Sequence, residues 1–108
     1  MIDLPPHHLG TVRAILGRHV PDCEVRAFGS RVSGPAKSYS DLDLAVVAPG
    51  KLNPDTLRHL KEAFEESDLP FRVDVLDWYE ASPDFQKVIE KAYAVIQAGS
   101  TDPSFHNQ

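Results

Sequence analysis

The sequence predicts an α/β (α+β) domain in which three short strands form one sheet covered by three helices, in the order α-β-β-α-β-α. Three observations carry that expectation. Proline stands at the start of each of three stretches whose apolar residues recur at helical spacing. Three short apolar runs lie between or beside them, each bounded on at least one side by Gly or Pro. And the chain, at 108 residues, has the length of a single domain with one modest core.

Pro5-Pro6 opens the first helix, because proline tolerates the first turn, and Leu9, Val12, Ile15 and Leu16 form its apolar stripe. Val20-Pro21-Asp22 ends it. Glu24 to Phe28 is short and alternating, as a strand should be, and Gly29 stops it. Residues 30–40 are rich in Ser, Gly and Pro and read as a loop, long enough to suggest a functional one. Leu42, Leu44, Val46 and Val47 then mark a second strand, closed by Pro49-Gly50. Asn53-Pro54 supplies an N-cap and a first-turn proline for a helix with Leu57, Leu60, Ala63 and Phe64 inside and Lys61, Glu62, Glu65 and Glu66 outside. After Pro70, residues 71–76 read as the third strand. Ser82-Pro83 opens the last helix, whose expected stripe is Phe85, Val88, Ile89, Ala92 and Ile96. Residues 1–98 are expected to form the domain and the polar residues 99–108 a disordered tail.

The hydrophobic fraction of 42% and charged fraction of 25% are ordinary for a globular domain. Eleven Lys+Arg against sixteen Asp+Glu give a net charge of −5, which argues against a sheath of phosphate contacts on DNA or RNA. A small phosphorylated ligand neutralised by metal ions stays compatible, as does a basic protein partner. Cys23, alone, forms no internal disulfide, and no Cys/His spacing reads as a zinc site. No apolar run approaches the roughly twenty residues of a membrane helix, and the first residues lack a signal-peptide pattern, so a cytoplasmic location is expected.

Chemistry concentrates in a few positions. Asp41 and Asp43, two apart at the start of the second strand, project from one face about 7 Å apart at the backbone. At about 5 Å and an effective dielectric of about 20, two such carboxylates repel by about 3 kcal/mol. Such a cost implies screening by water or a compensating cation, and oxygen ligands of this kind suit Mg²⁺. Asp74, on the third strand, joins the pair if the second and third strands are neighbours. Three carboxylates around two metal ions suit in-line phosphoryl or nucleotidyl transfer. Gly29-Ser30 follows a strand directly; glycine lets backbone approach a phosphate, the serine hydroxyl binds its oxygens, and Arg31 adds a charged donor. Each part alone has a bland counterpart: a chance Asp-x-Asp, an ordinary turn, a solvated arginine, an edge-strand carboxylate. Asp77, three after Asp74, is the weaker carboxylate candidate. His7, His8, His19 and His59 read as surface residues, and Trp78 and Tyr79 as cover for the core edge.

The combination is more specific than its parts. Phe28-Gly29-Ser30, ten residues (31–40), Asp41-Leu42-Asp43-Leu44 and a strand aspartate at position 74 together resemble the polymerase-β-like nucleotidyltransferase superfamily, and its minimal nucleotidyltransferases (MNT proteins) most. The resemblance runs from the first helix to about Ile96. It implies the polymerase-β-like fold with a mixed sheet, ATP as substrate and two Mg²⁺ ions. It further implies that Gly29 and Ser30 contact the β- and γ-phosphates, that Asp41 and Asp43 bind metal, and that Asp74 shares a metal and helps to activate the acceptor hydroxyl. One departure stands out: many members read Gly-Ser-x-Ala-Arg-Gly, whereas here Ser33 replaces the second arginine, leaving Arg31 or Lys37 to supply positive charge.

Stand-alone MNT proteins are commonly paired with a helical HEPN ribonuclease toxin. The resemblance therefore implies a protein adenylyltransferase: an antitoxin that moves AMP from ATP to a tyrosine hydroxyl of the toxin. The brevity of the chain agrees, since nothing in it supplies an acceptor-binding domain. Two alternatives remain at this level: a catalytically weak module that neutralises the toxin by complex formation, and a small-molecule nucleotidyltransferase with an accessory subunit. No direct nucleic-acid or membrane partner is expected.

Overall fold

A computed structural model describes residues 2–36 and 40–99. The elements are helix α1 (Pro6–His19), strand β1 (Glu24–Phe28), helix α2 (Ser30–Ser33), strand β2 (Leu42–Val47), helix α3 (Pro54–Glu65), strand β3 (Val73–Asp77), a 3₁₀ turn (Trp78–Glu80), helix α4 (Pro83–Lys91) and strand β4 (Ala94–Gln97). The helix starts follow the prolines as expected. At α3 the Asn53 side chain accepts a hydrogen bond from the Asp55 N–H at 2.8 Å, and at α4 Ser82 accepts one from Phe85 at 3.1 Å.

The sheet has four strands, not three, in the order β3-β2-β1-β4. β1 runs antiparallel to both β2 and β4, while β2 and β3 are parallel, so the sheet is mixed as expected. The extra strand comes from the segment expected to end the last helix. That helix stops at Lys91, and Ala92 is already extended (φ −156°, ψ 102°). Ile96, expected on the helix stripe, instead enters the core from β4. The Gln97 side chain holds the new strand by donating to the carbonyls of Val20 and Cys23 at 2.7 and 2.9 Å. A second correction falls in the expected loop, where α2 forms one helical turn directly after Gly29. Ser33 closes it by donating its hydroxyl to the Gly29 carbonyl at 3.0 Å. Of the expected tail, only Gly99 is among the described residues.

Alternation along the strands divides the sheet into two faces. Val25 and Ala27, Leu42, Leu44 and Val46, Val75 and Ile96 pack against Val12, Ile15 and Leu16 of α1 and Leu60 and Phe64 of α3, forming the main core. The other face carries Ala45 beneath Trp78 and Ile89, with Phe28, Val47 and Leu76 around them. This smaller cluster covers only part of that face. The uncovered part, at the start of β2 and β3, belongs to Asp43 and Asp74.

Among the described residues no helix is long and apolar enough to cross a membrane.

Candidate active site

The turn after β1 explains its glycine. Gly29 adopts φ 84°, ψ −158°, a region open essentially to glycine alone. A Cβ built there would also run into the Asp43 carboxylate. The cause lies in the register: Phe28, the residue before the turn, is paired with Asp43 across β1 and β2. Backbone of the expected phosphate-binding turn thus lies against Asp43, one of the expected metal ligands, and Ser30 follows at the exposed start of α2.

The sheet sets two of the three aspartates side by side. Asp43 and Asp74 occupy paired positions on the parallel strands β2 and β3, so their side chains leave the same face side by side. Asp41 lies one pleat before Asp43, just ahead of β2. Asp41 and Asp74 are exposed and Asp43 is half-buried. Burial pushes the Asp43 carboxyl above the ordinary carboxylate range, and the charges of Asp74 and Asp41 push it the same way. Asp43 is therefore the crowded member, with one carboxylate along the strand and another across the ladder.

An oxygen-only donor set of this kind fits a hard divalent cation. Among the described residues, no three His, Cys, Asp or Glu side chains are drawn into a ready-made metal cage. Asp74 instead lies 3.4 Å from Arg72 in an exposed ion pair of little energetic weight. That arrangement still suits Mg²⁺, which is seldom caged by protein alone and takes one or two carboxylates, water and phosphate oxygens.

Arg31 departs from expectation. Its side chain is 3% exposed and turned inward: Nε donates to the Ser40 carbonyl and Nη1 to the Asp3 carbonyl, each at 2.9 Å, while the guanidinium lies 4.4 Å from the centre of the Phe71 ring. The physical reason is position. As the second residue of α2 it points back toward the body of the domain, where two carbonyls and an aromatic face receive the planar cation. It is not a phosphate donor in this conformation. Lys37, the other expected source of charge, lies outside the described residues.

Asp77, the weaker candidate, is structural. It is buried, accepts from the Tyr79 N–H at 3.0 Å to cap the 3₁₀ turn, and accepts from the Leu52 N–H at 2.9 Å. Trp78 is buried over the small cluster, whereas Tyr79 is largely exposed and covers less than expected. His8 is half-buried with its ring edge-on to Phe71; His7 and His59 are exposed. Phe85, read in the sequence only as part of a helix stripe, meets Phe28 edge-on with ring centres 5.8 Å apart. Because Phe28 is paired with Asp43, these rings form an apolar flank to the carboxylates on the β1 side. Nothing in the spacing announces this, since it depends on α4 folding back across the sheet.

A turn of glycine pressed on a carboxylate, with two further carboxylates beside it, is the constellation of a nucleotidyltransferase, and the chain belongs to that family: residues 23–101 match the family described as Polymerase beta, Nucleotidyltransferase. Among individual relatives, the probable protein adenylyltransferase MntA of Haemophilus influenzae is 53% identical over 96 residues, covering 89% of this chain and 84% of that protein. The fold also recurs in solved toxin–antitoxin complexes. A toxin–antitoxin structure with AMP-PNP superposes with a TM-score of 0.71 at 23% identity over 89% of this chain and 77% of the other. A tri-AMPylated Shewanella oneidensis HEPN toxin in complex with MNT antitoxin gives a TM-score of 0.65 at 21% identity over 91% and 76%.

Proposed function

We propose that the chain is an antitoxin that transfers AMP from ATP to a tyrosine hydroxyl of a HEPN ribonuclease toxin. The observation that carries the chemistry is the register Asp43–Asp74 with Gly29 set against Asp43, which brings a phosphate-approachable turn to a pair of carboxylates, with Asp41 two residues before Asp43. Support for a protein acceptor comes from the Haemophilus relative, a probable protein adenylyltransferase, and from the toxin complexes that share the fold.

In this reading Asp41, Asp43 and Asp74 hold two Mg²⁺ ions, which when bound lower the pKa of the attacking hydroxyl and stabilise the leaving pyrophosphate. Gly29 and Ser30 bind the β- and γ-phosphates, and so fix the α-phosphorus near the carboxylates. Asp74, exposed at the sheet edge, faces the incoming tyrosine and takes its proton. The phenolic oxygen forms a bond to the α-phosphorus, the α–β bridge breaks, and pyrophosphate departs. Phe28 and Phe85 exclude water from the opposite side.

The test is incubation with ATP, Mg²⁺ and the cognate toxin. The toxin gains the mass of AMP, once or more, and Asp41→Ala or Asp43→Ala abolishes the gain; an active preparation that never shifts the mass refutes the proposal. A second reading, neutralisation by binding alone, is favoured by Ser33 in place of the usual arginine and by the inward turn of Arg31. Neutralisation that survives the double aspartate substitution would select it.

A further inference from the structure

Arg31 makes more contacts than a surface arginine beside a turn requires, and they run to three separate parts of the chain. Its Nε bonds to the carbonyl of Ser40, the residue before Asp41. Its Nη1 bonds to the carbonyl of Asp3, whose own N–H donates back to the Arg31 carbonyl, so that the N-terminal segment and the turn are laced together in both directions. Its guanidinium carbon lies over the ring of Phe71, one residue before Arg72, whose carbonyl accepts the Leu42 N–H at 2.9 Å and so starts the β2–β3 pairing. The Phe71 ring is also met edge-on by His8 of α1, with ring centres 5.6 Å apart.

We propose that Arg31 is a positioning residue for the transfer centre, a bolt that sets the Gly29-Ser30 turn, Asp41 and the start of β3 at fixed separations, with residues 2–4 as the strap that keeps it seated. This rests on the reading of those residues as the active site. The physical case is geometric. The turn and Asp41 are not fixed by sheet pairing alone: Asp41 precedes β2, and α2 is a single turn. From its place in the turn, one planar cation reaches the residue before Asp41 and the N-terminal segment through two hydrogen bonds, and the approach to β3 through the Phe71 ring. Lysine could not replace it, because an ammonium has neither the fork nor the flat face.

The experiment is steady-state AMP transfer by full-length Arg31→Lys and Arg31→Ala, well below their melting temperatures, with ATP varied and the toxin saturating. Misplacement of reacting groups by about 1 Å costs about 10²-fold, so kcat is expected to fall by about 100-fold with ATP KM changed by less than about threefold. Millimolar guanidinium, but not urea, should partly restore kcat to Arg31→Ala. A direct phosphate contact would instead raise KM with kcat kept, and that result would overturn the proposal, as would wild-type kcat in both variants. Should these variants fail to fold, Asp3→Pro, which removes the strap's N–H, is expected to lower kcat relative to Asp3→Ala, which keeps both backbone groups. Equal kcat in the two would count against the strap. Failure of the site reading is told apart by Asp41→Ala and Asp43→Ala: if these transfer AMP normally, the site is elsewhere, whatever Arg31 does.

Discussion

At the scale of single residues, Gly29 and Asp43 are the most constrained pair. Gly29 is fixed twice, by a backbone conformation that side chains rarely adopt and by the Asp43 carboxylate against it. Gly29→Ala is therefore expected to cost about 1–3 kcal/mol of stability and, by displacing the turn from the carboxylate, to lower transfer by about tenfold or more. Chemical denaturation and initial rates would check both; a variant as stable and active as the parent would show that the turn is not where catalysis is built. Asp43 carries the opposite sort of burden. Its carboxyl holds a proton more tightly in the folded chain than in the unfolded one, because of burial first and then the charges of Asp74 and Asp41. Between the ordinary carboxylate range and that raised value the folded chain binds more protons. Stability consequently falls as pH rises through this window, and the deficit persists at neutral pH. Asp43→Asn removes the charge and should raise the melting temperature of the metal-free protein at pH 7 by a few degrees while abolishing transfer. A scan from acid to neutral pH should show the gap between variant and parent opening as pH rises.

At the scale of elements, the sequence made the prolines, caps and β-branched strands legible, and through them α1, α3, β1, β2 and β3. What it concealed was short or borrowed. β4 has four residues, and Phe85, Val88, Ile89, Ala92 and Ile96 keep a helical spacing across its boundary, so periodicity alone extends the helix. The strand exists because β1 offers an unpaired edge and Gln97 finds two carbonyls at the end of α1. α2, one turn long, has no period to read and is closed by Ser33 and Gly34. The site was more legible than the fold around it. Asp43 and Asp74 fall side by side because strand register pairs them, and Gly29 comes against Asp43 because Phe28 is paired with it. Arg31 was not legible, since its direction depends on Asp3, Ser40 and Phe71, which only the tertiary fold assembles. Asp77 shows the same limit: nothing local tells that it caps a 3₁₀ turn and bonds the Leu52 amide. Asp77→Ala should destabilise by about 1–3 kcal/mol, the cost of leaving buried donors unmet, while keeping transfer below its melting temperature. Loss of activity without loss of stability would return Asp77 to the list of ligands.

At the scale of the molecule, a small acidic domain carries Asp43 and Asp74 on the uncovered part of one sheet face, with Asp41 just ahead of β2, next to an apolar flank of Phe28 and Phe85. The charge that weakens the free protein is what a metal–nucleotide complex would neutralise. Mg²⁺ with a non-hydrolysable ATP analogue should then raise the melting temperature, by linkage worth about 2.7 kcal/mol at a hundredfold excess over Kd. Asp41→Ala should lose the shift, and a shift of equal size in that variant would place nucleotide binding away from the carboxylates. The proposed reaction itself moves the α-phosphate of ATP to a protein hydroxyl. It is tested most directly by following ATP labelled at the α- or the γ-phosphate in the presence of Mg²⁺ and the cognate toxin. Label from the α-position is expected on the toxin, none from the γ-position, and neither with Asp41→Ala or Asp43→Ala; α-label transferred undiminished by those variants, or γ-label in its place, would contradict it.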